Sequence, residues 1–190
     1  GFELLQNHIR HFYLLVLPDY IDSQALPFNQ SGGRDYRFSL AETQRLVTHY
    51  QEAIEISLLC HQCLALFGGK APHQHGIVLG GVTVNPRSDL ILKALANLER
   101  INSFLNHSLV RDADLLASRY KDYFELGVGP SNFLSFGLFT NPANGSALVP
   151  GGAVFNGVTR PLDLSLISLD IDRSWFVHDG TPNEIRPEPE

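Results

Sequence analysis

The stretch from Phe2 to Leu17 carries Leu, Ile, Phe, Tyr and Val on more than one face of a would-be helix and reaches Pro18 directly afterwards. Proline removes a donor and clashes with the preceding turn, so the spacing predicts a largely buried helix that stops at Pro18 and needs neighbours on several sides. A chain of 190 residues supplies them, being long enough for one domain, or one with a small second. Its hydrophobic fraction of 44% excludes disorder, while only 18% of residues are charged, against roughly 25% in an average soluble domain. That shortfall predicts a surface that expects a partner. The chain opens at Gly1, contains no methionine and enters the helical pattern at once, which predicts an excerpt from a longer sequence.

Downstream, Asp19 to Arg37 reads as a loop around Pro27, Gly32 and Gly33. Ser39 and Glu42 have the spacing of a capping box, which predicts a long helix with an apolar stripe at Leu46, Val47, Tyr50, Ile54, Leu58, Cys60, Leu64 and Phe67, ended at Gly68-Gly69. Between Gly68 and Pro86 the glycines and prolines around Ile77-Val78-Leu79 predict a structured loop. Ser88 is expected to cap a third helix through about Asn106. Asp112 is expected to start a fourth through about Glu125, with Leu115, Leu116, Tyr120 and Phe124 on its buried side. After Gly127, Pro130, Gly137, Pro142, Asn144-Gly145 and Pro150-Gly151-Gly152 punctuate short alternating stretches that predict small strands and turns, and Pro182 to Glu190 reads as an extended acidic end. The fold class expected is therefore mainly α, a helical bundle-like core over 1–138 followed by a small strand- and turn-rich part over 139–190.

Net charge is −6 with no run of Lys or Arg, which argues against a nucleic-acid groove or an anionic membrane surface, and no apolar run approaches the roughly 20 residues a bilayer needs. Cys60-His61-Gln62-Cys63 puts two thiols on one helix face, half of a soft-metal site. Without two further ligands, the pair is read as buried thiols. His8 and His11 share a helix face, and His73 and His75 would share a side if extended. Three Asn-x-Ser patterns, at Asn29, Asn106 and Asn144, are too short to argue from. No nucleophile elbow and no Walker loop occurs, and Gly127-Val128-Gly129 lacks the third glycine of a dinucleotide fingerprint.

Four stretches, in order, carry a family resemblance. His8-Ile9-Arg10-His11-Phe12-Tyr13 looks like a His-x-x-His-Phe-Tyr helix. Phe67-Gly68-Gly69-Lys70-Ala71-Pro72-His73 with Gly80-Gly81-Val82-Thr83 resembles a central signature. Gly127 to Gly137 matches Gly-x-Gly-x-x-Asn-Phe-Leu-Ser-Tyr/Phe-Gly, and Asp170-Ile171-Asp172-Arg173-Ser174-Trp175-Phe176 is similar to an acidic segment ending in Ser-Trp-Tyr. All four resemble motifs of the large subunit of nickel-iron hydrogenases. The two cysteine pairs with which that family holds nickel and iron have no counterpart here, so the chain resembles the middle of such a subunit with the metal ligands on sequence outside it.

That resemblance implies a part in reversible H2 oxidation to protons and electrons in the full enzyme, and inactivity for this portion alone, with a Ni-Fe centre ligated elsewhere and no cofactor bound to the chain itself. It implies that His8 and His11 lie near the bimetallic centre and orient or tune its ligands without binding the metals. Asn7 stands where some members carry Asp, and an amide cannot titrate, which removes a proton role there. Lys70 and His73 are implied to face the small subunit and its nearest iron-sulfur cluster, where Lys70 would pair with a carboxylate or carbonyl and His73 would tune the cluster. The expected partners are the remainder of the large subunit and the iron-sulfur small subunit, with no nucleic acid and no membrane insertion, in a prokaryotic cytoplasm or periplasm. Two other classes compete: a non-catalytic relative of the quinone-site subunit of respiratory complex I, and a scaffold binding an electron-transfer partner. The Gly-Gly-Lys and Gly-Gly-Val-Thr pair favours hydrogenase.

Overall fold

The structure is a computed structural model that describes residues 1–22, 35–141, 143–167, 176–178 and 185–187, with side chains as far as residue 167. Asn29, the acidic stretch from Asp170 to Trp175 and most of the Pro182–Glu190 end lie outside the described residues. The chain divides into two compact units, Gly1–Leu126 and Gly127–Glu190.

In the first unit, α1 (Phe2–Arg10) continues without a break into a π turn over His11–Val16 and a 3-10 turn over Leu17–Asp19. The helical path therefore passes through Pro18 rather than stopping before it. The change of hydrogen-bond register explains this: the Leu17 N–H reaches back to the Phe12 carbonyl, and Pro18 falls in the opening positions of the tighter turn, where a missing N–H is tolerated. Ile9, Tyr13 and Leu17, four residues apart, are fully buried, while Leu4 and Leu15 stand 40% and 68% exposed. Phe2, Leu5, Phe12 and Leu14 are partly buried against the same core, so coverage is complete along the Ile9–Tyr13–Leu17 side and partial on either side of it.

Helix α2 (Leu40–Gly68) starts at the expected capping box. The Ser39 N–H donates to Glu42 Oε2 at 2.8 Å and the Glu42 N–H donates to Ser39 Oγ at 3.3 Å. It ends at Gly69, whose φ of 75° is the left-handed turn that glycine adopts without strain. Leu46, Tyr50, Ala53, Ile56 and Cys60 form its covered face, whereas Ile54 and Leu58 of the expected stripe are half exposed. Gln6 meets His61 and Arg10 meets Ser57, so α1 and α2 run antiparallel.

The third and fourth helices expected from sequence form one helical rod. Helix α3 (Ser88–Phe104), with Arg87 rather than Ser88 as its cap residue, passes through a π turn at Leu105–Leu109 into α4 (Val110–Arg119). No Gly or Pro interrupts 105–111, and Asp112 caps nothing. Its side chain turns inward, 1% exposed, where Oδ2 accepts from the Tyr13 hydroxyl at 2.8 Å and lies 2.7 Å from His49 Nδ1. Burial first, and then that bond to Asp112, pushes the Tyr13 phenol well above the usual tyrosine range. Beyond Arg119 the chain tightens into a 3-10 turn at Lys121–Glu125, leaving Phe124 66% exposed instead of buried. Arg37 fastens this end to the approach of α2. It donates to both oxygens of Asp122 at 2.5 and 2.9 Å and lies over the rings of Tyr120 and Tyr123.

Between α2 and α3, β1 (Ile77–Val78) and β2 (Gly81–Val82) form a minimal antiparallel hairpin within the expected loop. In the second unit β3 (Phe133–Ser135), β6 (Gly152–Phe155) and β7 (Val158–Arg160) make an antiparallel sheet in the order β3-β6-β7. β4 (Leu138–Thr140) pairs with β5 (Ala147–Val149), and β8 (Phe176–His178) with β9 (Ile185–Pro187). Gly137 joins β3 to β4 with φ at 81°, and a Cβ there would stand 2.7 Å from the Val149 carbonyl, so only glycine fits. Among the described residues no helix is long and apolar enough to cross a membrane.

Two stability effects follow from this packing. Tyr13→Phe removes one of the donors facing a buried carboxylate and is expected to lower unfolding stability by about 1.5–3 kcal/mol in urea titrations. The Arg119 guanidinium, together with Ser39, lowers the Glu42 carboxyl to about 2. A depressed folded-state value contributes stability that is present above the ordinary carboxylate range and lost as pH falls towards 2. Glu42→Gln is therefore expected to flatten the stability profile between about pH 4.5 and 2, read by thermal melts across that window.

The candidate site on the first helix

Helix periodicity turns Gln6, Ile9 and Tyr13 inward and leaves Asn7, His8 and His11 on the outer face of α1, all exposed. Together with Arg10 and Leu15 these residues line a concavity of about 640 Å3. Its polar lining is an amide, two imidazoles and a guanidinium, with no carboxylate among the lining residues. The π turn begins at His11, so the expected pair straddles the change from α to π geometry, a place where helices commonly build function.

Arg10 is held from behind. Its Nε donates to Ser57 Oγ at 2.8 Å and its Nη2 lies 3.4 Å from His61 Nδ1, while Gln6 Nε2 approaches that same ring nitrogen at 2.6 Å. Gln6 and Ser57 are buried, at 6% and 2% exposure. Reasoning from sequence singled out none of these four. The signal was there: Gln6/Arg10 and Ser57/His61 are two polar pairs at i,i+4 spacing on helices otherwise read for their apolar stripes.

Lys70 and His73 occupy the loop after α2, which is closed by the Gly76 N–H donating to the Gly68 carbonyl at 2.9 Å. Both side chains are exposed. Among the described residues no hydrogen bond or ion pair reaches either one. The start of α1, the end of α2 and the β1–β2 hairpin enclose a second, smaller concavity of about 180 Å3, with Phe2, Phe67, Gln74 and Val82 in its walls. The antiparallel α1/α2 pair therefore carries both sets of residues but does not bring them together. The His8/His11 face lies at least six residues, or about 9 Å at 1.5 Å per residue, along α1 from that second concavity.

Cys60 and Cys63 are fully buried in the packing of α2. Burial, reinforced by the neighbouring Cys63 thiol and opposed by the Arg10 charge, pushes Cys60 up to about 11. Burial raises Cys63 as well, against a 3.6 Å contact from Asn97 Nδ2. These are packed thiols, as expected, and among the described residues no group of three or more His, Cys, Asp or Glu side chains is placed to hold a metal ion.

Helices carrying these faces, with the four motifs in order, define a hydrogenase large-subunit architecture, and comparisons with known proteins agree. The family model described as nickel-dependent hydrogenase matches residues 25–189. The chain belongs to that family. It is 30% identical over 195 residues to the large subunit of the periplasmic [NiFeSe] hydrogenase of Desulfomicrobium baculatum, an alignment covering 94% of this chain and 37% of that subunit. It is 31% identical over 150 residues to the hydrogenase-1 large chain of Escherichia coli K12, covering 67% and 25%. Its fold matches the Ni-Fe-Se hydrogenase of D. vulgaris Hildenborough in the as-isolated oxidised state with a TM-score of 0.85 at 30% identity, covering 100% of this chain and 41% of that one. The chain thus spans well under half the length of these relatives.

The family is nickel-dependent, which implies a nickel-iron centre in the full enzyme. The donor set on α1 fits the surroundings of such a group: N–H donors suit sulfur ligands, and nothing in the concavity repels them. It contains no thiolate. The buried thiols have a checkable consequence. In the folded chain Cys60 and Cys63 are expected to resist a disulfide-exchange reagent at pH 8 and to react fully once denatured, as followed by absorbance of the released thiol.

Proposed function

We propose that the chain is the central portion of a hydrogenase large subunit of the nickel-iron type, acting in reversible H2 oxidation only when joined to the remainder of that subunit and to an iron-sulfur small subunit. The carrying observation is the α1 face: Asn7, His8 and His11 converge on one open concavity of donor character, on a chain whose family is nickel-dependent. When bound, a nickel-iron centre supplies polarisation of H2, which is apolar and a weak acid without a metal. The chain's own part is to surround it. His8 and His11 offer ring N–H donors that orient sulfur ligands, and Asn7 offers an amide that hydrogen-bonds without titrating. The ligating cysteines belong to sequence outside this chain.

On this reading the loop bearing Lys70 and His73 faces the small subunit and its nearest cluster, and their exposure leaves both side chains available for that contact. The helical packing of α1, α2 and the α3–α4 rod is then the inner bundle of the large subunit. Exposed apolar residues of the bundle are surface covered by the rest of the enzyme, among them Leu15 at 68% and Leu92 at 67%. The compartment is a prokaryotic cytoplasm or periplasm.

Two measurements test this. After dialysis the isolated chain is expected to retain no stoichiometric nickel and to show no H2 uptake. Retained nickel with turnover would overturn the placement of the ligands outside it. In the full enzyme, His73→Ala is expected to slow electron exit to an artificial acceptor while nickel content stays at the parental level. Lost nickel, or unchanged activity and cluster potential, would count against the cluster-facing role of that loop.

A further inference from the structure

Two nucleophilic groups on α2 have no part in the proposed function. Cys60 and Cys63 sit one turn apart, both fully buried, and are the only cysteines in a chain without methionine. Their polar neighbours suit a charge that two neutral thiols do not carry. Asn97 Nδ2 on α3 donates to Cys63 Sγ at 3.6 Å, and the Arg10 guanidinium on α1 is near enough to Cys60 to favour its thiolate against burial. Cys63 also stands in the wall of the smaller concavity of about 180 Å3, beside Phe2, Leu64 and Phe67, so open space reaches one end of the pair.

Helix geometry decides what such a pair can hold. Side chains three apart keep their Cβ atoms about 5–6 Å from one another, whereas a disulfide needs about 3.5–4.5 Å, so α2 opposes closure of an S–S bond. A cation between the sulfurs meets no such limit, since two metal–thiolate bonds of about 2.3 Å set the sulfurs about 4.6 Å apart. Soft thiolates select Cu(I), a closed-shell ion that is content with two ligands. We infer that Cys60 and Cys63 form a two-coordinate site for a soft univalent cation of the Cu(I) class, supported by the Asn97 amide at one sulfur and the Arg10 charge at the other. On binding, both S–H protons leave to solvent and two metal–sulfur bonds form with no change of oxidation state. The bis-thiolate unit keeps one net negative charge, which Arg10 offsets. Zinc and nickel ask for more donors, and among the described residues no third His, Cys, Asp or Glu joins the pair. The site draws on α1, α2 and α3 alone and is independent of the hydrogenase reading.

The test is anaerobic titration of the 190-residue chain with Cu(I) supplied from a chromophoric chelator, combined with thermal melts. One equivalent is expected to transfer to the chain and to raise its melting midpoint, because an ion that prefers the folded site to the unfolded segment stabilises the fold. Cys60→Ala and Cys63→Ala are each expected to abolish both the transfer and the rise. Asn97→Leu, which removes the donor to sulfur and leaves both thiols, is expected to weaken binding about tenfold. The inference is overturned by no transfer, by transfer undiminished in either alanine variant, or by a midpoint that the ion lowers, as binding to the unfolded chain alone would do. If neither alanine variant folds, Asn97→Leu decides: a tenfold loss supports the site and parental affinity overturns it.

Discussion

A carboxylate at the centre of the first unit sets terms that the surrounding helices meet. Asp112 brings its carboxyl group to 1% exposure, and the two groups that face it come from different elements, Tyr13 beyond α1 and His49 on α2. Leaving a buried acceptor without one of its partners typically costs about 1–3 kcal/mol. The three elements are therefore keyed to one another by a polar point, and the apolar side chains of Ile9, Leu17, Leu46 and Ile101 fill the space around it. Hydrophobic contact drives the helices together, and the polar point fixes which rotation about each axis is accepted. The outward direction of His8 and His11 is set by this, because Tyr13 can reach Asp112 only when the opposite face of the same helix turns towards solvent.

Much of this was legible in the sequence where the signal is local. The capping box at Ser39 and Glu42 and the left-handed end at Gly69 need only short-range geometry, and both stand as read. So does the burial of Cys60 and Cys63, since two thiols without further ligands behave as small apolar groups. The errors come from taking a residue type as punctuation when tertiary context assigned it otherwise. By residue type Pro18 looks like a stop and Asp112 like a start. A proline at the opening of a 3-10 turn interrupts nothing, and an aspartate can turn its carboxyl group inward when a tyrosine and a histidine face it.

The site itself was half legible. The exposed face of Asn7, His8 and His11 follows from helix periodicity once its family motif is seen, and the structure places all three on one concavity. The anchoring network of Gln6, Arg10, Ser57 and His61 was not, because its partners are up to 55 positions apart and become neighbours only when α1 and α2 pack antiparallel. In the second unit the Asn156-Gly157 pair, with both residues at positive φ, makes the tight turn between β6 and β7 and was passed over although Asn-Gly is a strong hairpin signal.

The π turn at His11–Val16 has a consequence for how the family motif tolerates change. A π turn amounts to one residue inserted into an α-helix, so it shifts the angular phase of everything on one side by about 100° relative to the other. His8 sits before that phase step and Leu17 after it, which lets an outward-facing polar edge and an inward-facing apolar edge be tuned separately along one continuous rod. A single-residue deletion within 11–16 would erase the step, and the two edges would fall out of alignment even though every remaining side chain kept its chemistry. The motif's spacing is thus a mechanical setting as much as a chemical one, and length within this turn constrains the helix more tightly than the identity of its exposed residues.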